Sequence, residues 1–246
     1  MKKTLIVISI FHLFSINKIS AQNNDAALAA VAGAVAIGSA IASIENLKEQ
    51  VELSATEWFL SNNGDVVNFR LKTLDMKGKK LKDMSSTSVI TFKIQEFDPF
   101  KLPKSSDSFT KLDGKKYVLL SFTSSGWLND NGINLDRLRW FIIDEEKWID
   151  MMVSYVIAAS GKNDKDLIEN TLRSGKIVNL GVKVKSKNVI PFYKIGSDMY
   201  LTIDYDENMK FIYNEKSFGI YLKETKDLVQ MSRNVVIDIH KFFFND

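Results

Sequence analysis

The chain has no cysteine, only three prolines and only two histidines among 246 residues, and each scarcity closes off a class of chemistry. Without a thiol there is no disulfide framework, no Cys-ligated zinc, no iron–sulfur cluster and no cysteine nucleophile. A lipid carried on a leading cysteine is excluded for the same reason. One of the two histidines, His12, lies in the first twenty residues, which leaves His240. A single imidazole cannot build a multi-His metal site, and no Gly-x-Ser-x-Gly elbow is present to receive it as a base. No cofactor or metal is expected from these residues.

The first residues differ from the rest. Met1-Lys2-Lys3 is followed by an apolar run from Leu5 to Ile16, then Lys18-Ile19-Ser20-Ala21 before Gln22. A basic start, a short apolar core and a small residue before the cut are the parts of a secretory leader. Ser9, His12 and Ser15 interrupt the run, which falls short of the roughly 20 residues that span a bilayer. The segment resembles the signal peptides of bacterial envelope and secreted proteins, which implies export and no particular activity. Residues 1–21 are read as this leader. Its loss changes the charge balance. Of 33 Lys and Arg, Lys2, Lys3 and Lys18 leave with it, while all 30 Asp and Glu stay. The remaining chain is neutral, and nucleic-acid binding, which needs an excess of Lys and Arg for phosphate, is not expected.

Residues 22–62 are expected to form one long helical region, capped at Asn24 or Asp25 and stopped by Asn62-Asn63-Gly64. Its first half, Ala26 to Ile44, has no charged side chain and is rich in Ala, Gly and Ser. Its second half is amphipathic, with Ile44, Leu47, Val51, Ala55 and Trp58 at spacings of three and four. Small residues allow close helix approach. Val31, Gly33, Val35, Ile37, Gly38, Ile41 and Ile44 are the expected partner-binding surface. Three roles stay open for Ala26–Ile44: docking into a partner or self-association, lying in or across a membrane, and packing on its own body.

Residues 63–246 are expected to form an α+β body with a mixed, mostly antiparallel sheet and two or three helices. Strands over Val66–Leu74, Ser88–Glu96, Tyr117–Thr123 and Leu138–Ile143 precede helices over Glu145–Ala159 and Asp164–Arg173. A meander of short strands follows from Ile177 to Lys223, then a helix over Glu224–Arg233 and a last strand over Val235–Phe244. Strands in runs, instead of alternating with helices, favour antiparallel pairing.

Five features of the body bear on chemistry. His240 is expected on a solvated strand face. Asp144, Glu145 and Glu146 stand where a helix should begin, and acidic residues there complement its dipole. Asp204, Asp206, Asn208, Lys210 and Glu215 follow the spacing of a calcium loop, but Met209 replaces the glycine its sharp turn needs, so a hairpin is expected. Trp127, Asn129 and Asp130, in a loop of amides, are a candidate ligand loop, against the plainer reading of an aromatic folded over the core. Lys77, Lys79, Lys80 and Lys82 crowd one turn and are read as a charged hairpin tip.

The expectation is a non-catalytic envelope protein, periplasmic, outer-membrane-associated or extracellular, that binds a partner protein or itself through the N-terminal helix. Two alternatives come from other classes: a secreted hydrolase or carbohydrate-active enzyme, and a toxin-like protein whose Ala/Gly segment contacts or enters membranes.

Overall fold

A computed structural model describes residues 43–74, 76, 79–84, 87–101, 112–160, 163–178, 181–184, 187–191, 201–213 and 217–244. Helix α1 runs over Ile44–Asn62. Ser43 has extended backbone, with φ −146° and ψ 163°, and its hydroxyl accepts from the Asn46 N–H at 3.0 Å. That is an N-cap, so the described helix begins at Ile44, not at Asn24 or Asp25 as expected; residues 22–42 of the expected helical region lie outside the described residues. The helix ends where the Asn63 N–H and side-chain amide both donate to the Phe59 carbonyl. Leu47, Val51, Ala55 and Phe59, four residues apart, are fully buried along one stripe.

That stripe lies on a four-stranded antiparallel sheet in the order β1 (Phe69–Thr73), β2 (Ser88–Glu96), β3 (Lys116–Thr123), β6 (Leu138–Ile143). Between β3 and β6 stands a short hairpin of β4 (Leu128–Asn129) and β5 (Gly132–Ile133). The pleat of the main sheet sorts its side chains. Ile90, Phe92, Ile94 and Leu119 face α1, while Val89, Val118, Leu120 and Phe122 face the other way. Phe92 pairs with Leu119 and Val89 with Phe122, so each face is continuous across the strands.

The second face is covered by the C-terminal half of the chain. Helix α2 (Glu145–Ser160) follows β6, and Asp164 caps α3 (Lys165–Ser174) through its carboxylate and the Leu167 N–H at 3.0 Å. Then come a three-stranded sheet of β7 (Lys176–Val178), β8 (Gly181–Val184) and β9 (Lys187–Pro191), and a four-stranded meander of β10 (Leu201–Asp204), β11 (Met209–Tyr213), β12 (Ser217–Leu222) and β13 (Leu228–Ser232). Helix α4 (Arg233–Phe244) closes the fold against β2, β3 and β7. The class is α+β with antiparallel sheets.

Two elements differ from expectation. The region read as a helix over Glu224–Arg233 contains strand β13, whose Val229 and Met231 alternate inward. The region read as a strand over Val235–Phe244 is helix α4. Its β-branched and aromatic residues favour a strand locally, but Val235, Val236, Ile239, His240, Phe242 and Phe243 form one helical stripe buried in the core.

Candidate functional site

Of the residues expected to bind a partner, Val31, Gly33, Val35, Ile37, Gly38 and Ile41 lie outside the described residues. Ile44 is described: it opens α1 and packs partly buried against the core shared by α1 and the sheet. The amphipathic half of the region therefore belongs to the body, and the boundary expected after Asn62 falls between two elements with one core. Among the described residues no helix is long and apolar enough to cross a membrane.

Trp127 is not part of an exposed loop. Its indole is 0% exposed and its Nε1–H donates to the Met84 carbonyl at 2.6 Å, beneath α1. The candidate ligand loop thus loses its aromatic, because an indole N–H without a partner would be costly in this core and the Met84 carbonyl supplies one. Asn129 and Asp130 stay exposed on the β4–β5 turn, where the Asn129 side chain accepts from the Asn131 N–H at 2.8 Å. Gly132, at φ +107°, takes the positive dihedral that this tight connection requires.

His240 is not on a solvated face. It lies inside α4, fully buried. The Trp148 Nε1–H lies 3.3 Å from its Nδ1, and its Nε2 lies 3.0 Å from the Leu172 carbonyl. A neutral ring with the proton on Nε2 satisfies both contacts, accepting from the indole and donating to the carbonyl. Burial pushes its pKa down to about 4, against weaker opposing help from main-chain carbonyls. The arrangement is that of a satisfied core histidine tying α2, α3 and α4 together.

The acidic groups at the start of α2 meet one cation. Arg173 of α3 reaches Glu145 at 2.9 Å, Glu146 at 2.6 Å and Glu169 at 2.9 Å. This fan locks α3 to the N-terminus of α2. The Asp204–Glu215 region is a β10–β11 hairpin, with Glu215 outside the described residues. The Asp206 carboxylate accepts from the N–H groups of Asn208 and Met209 at 2.8 and 2.7 Å and closes the turn itself. Lys223 donates to the Asp206 carbonyl at 2.8 Å and to the Asp204 carboxylate at 3.0 Å, and that pairing holds Asp204 below the usual carboxylate range. A lysine thus fills the place a cation would take.

One grouping was not visible in the sequence. A cleft of ≈ 400 Å³ at one end of the main sheet is lined by Asp65, Glu96, Asp98 and Asp113, with no Lys or Arg among its lining residues. Gly114 forms its floor beside β2, where a Cβ would collide with the Glu96 main chain. The Tyr117 hydroxyl donates to Glu96 at 3.0 Å, and burial together with that carboxylate raises the phenol pKa to about 12. Leu112–Lys116 reads as a bare hairpin turn in the sequence, and only the pairing of Glu96 with Lys115 sets Asp113 beside Asp65. The cleft is electronegative and favours cationic groups.

Comparison with family models, with curated proteins and with solved structures finds no match to this chain.

Proposed function

We propose that the chain is an exported, non-catalytic envelope protein that binds a partner protein or self-associates through the segment from Ala26 to Ala42. The observation that supports this reading is the cap at Ser43. Helix α1 begins at its own hydroxyl cap and already buries its apolar stripe on the sheet. The apolar stripe of α1 is thus occupied within the body, and we read the uncharged sequence before the cap, rich in Val, Ile, Ala and Gly, as a separate device. Export is the natural context for the leader-like first residues, and small residues at Gly33 and Gly38 suit a close helix contact.

The test is a deletion that respects the cap. Removing Asn23–Ala42 and keeping Ser43 should leave the melting temperature within a few degrees of the full chain while abolishing association, read by sedimentation velocity. Gly33→Leu should weaken association alone. Unfolding on this deletion, or association indifferent to both changes, would end the proposal.

A further inference from the structure

We infer that the open edge of the main sheet at β6 pairs with the β6 edge of a second copy of this chain, a contact separate from the Ala26–Ala42 segment. The register between β3 and β6, with the Ser124 N–H donating to the Arg137 carbonyl, turns the main chain of Arg139, Phe141 and Ile143 toward β3. It turns the main chain of Leu138, Trp140 and Ile142 outward. Leu138 spends both outward groups locally: its N–H goes to the Leu135 carbonyl and its carbonyl accepts from the Arg139 guanidinium at 3.1 Å. Among the described residues nothing reaches the outward N–H and C=O groups of Trp140 and Ile142. They form an unblunted edge in the segment Leu138-Arg-Trp-Phe-Ile-Ile143, where Trp140, Phe141 and Ile142 are each only half-buried.

The free groups determine the register. In an antiparallel pair they satisfy one another when Trp140 stands opposite Ile142 of the second copy, with the two-fold axis at Phe141. That register sets Phe141 against its own copy on one face and Trp140 against Ile142 on the other, both favourable cross-strand pairs. No like charges stand directly opposite within the pairing, since Arg139 meets Ile143 of the copy; the Lys147 ammonium of α2 lies over the Phe141 ring, 4.0 Å from its centroid. The opposite edge, β1, behaves differently. The Glu52 carboxylate of α1 accepts from the Thr73 N–H at 3.0 Å and its hydroxyl at 2.6 Å, covering one outward donor. Self-pairing through the remaining outward groups of β1 would set Arg70 or Lys72 against cations of the copy. A charged, partly covered edge resists pairing and an aromatic, open one invites it. The occupant that fits β6 is a second β6.

A chain without cysteine allows a direct test. In the inferred register two Phe141 Cα atoms lie about 4.5 Å apart, inside the span of roughly 4.4–6.8 Å that a disulfide bridges. The full chain carrying Phe141→Cys should form a disulfide-linked dimer on mild oxidation, and Lys72→Cys, on β1, should stay monomeric under the same conditions. Ile142→Pro removes only an outward donor, since the Ile142 N–H does not serve β3, and it should abolish the β6-dependent dimer in sedimentation velocity with the circular dichroism spectrum retained. Absence of the Phe141→Cys dimer, or a rate no greater than that of Lys72→Cys, overturns the inference. So does association that persists unchanged in folded Ile142→Pro, which would assign it to the Ala26–Ala42 segment. Should Ile142→Pro fail to fold, the cysteine pair decides alone.

Discussion

The two faces of the main sheet are buried by different parts of the chain and in different ways. One face is covered by α1, whose buried stripe carries a single residue per turn: Leu47, Val51, Ala55, Phe59. The other is covered by α2, α4 and the second sheet, with Trp148, Tyr155, Phe211, Phe218 and Phe242 among its fully buried side chains. The first face rests on one short row from the N-terminal side, joined by aromatic contacts of Phe59 with Phe69 at 4.9 Å and with Tyr117 at 5.7 Å. The second interlocks several elements far apart in sequence. A core that depends on one helix is easy to remove with a single cut, and one built from many is easier to perturb through a shared polar contact. Each prediction strikes one face.

The largest effect is expected on the α1 face. Phe59 is fully buried and touches strands from both sides of β2. Phe59→Ala should cost about 3–5 kcal/mol, the usual cost of emptying a buried aromatic site, measured by urea unfolding. An effect under about 1 kcal/mol would mean that α1 is not part of the core.

The next effect belongs to the second face and depends on pH. Because burial lowers the His240 pKa from 6.5 to about 4, the unfolded chain takes up a proton between those values while the folded chain does not. The stability contribution is thus complete above pH 6.5 and is lost as pH falls toward 4, amounting to roughly 3 kcal/mol across the window. Unfolding free energies at pH 7 and pH 4.5 should show the drop. His240→Leu should flatten this part of the profile, at a cost at pH 7 from leaving the Trp148 N–H and Leu172 carbonyl unpaired. A wild-type profile level across the window would refute the assignment.

The smallest effect returns to the α1 face. Trp127→Phe keeps an aromatic ring but strips the N–H that the Met84 carbonyl accepts. A loss of about 1–3 kcal/mol is expected from that orphaned carbonyl and the lost volume, with no change in fold. A variant as stable as the parent would put the indole outside the core and restore it to the loop beside Asn129 and Asp130.

Much of the fold was legible because the local signals were undivided. Ser88–Glu96 and Leu138–Ile143 are strands with the expected bounds, since β-branched and aromatic residues dominate both. The helices after Asp144 and Asp164 start where an acidic cap and helical spacing agree. The end of the chain misled because its signals conflict. Val235-Val236-Ile237 and Phe242-Phe243-Phe244 favour a strand by composition, and the stripe they make in α4 has a partner only once β2, β3 and β7 are assembled. Of the candidate site residues, His240 was misplaced outward, while Trp127 is the aromatic folded over the core that stood beside the ligand-loop reading; polar neighbours in sequence say nothing about the distant Leu172 and Met84 carbonyls that receive them.

By itself, the sequence determined the exclusion of thiol chemistry, the α+β class and the hairpin at Asp206, because each depends on residue type or on neighbours a few positions away. Only the tertiary structure decided that α1 belongs to the body, that α4 is a helix, that His240 is a neutral core group and that, among the described residues, the β6 edge is open while Glu52 partly covers β1. Those facts turn on contacts between residues tens of positions apart, and burial and hydrogen bonding across such distances override the local preferences that a sequence displays.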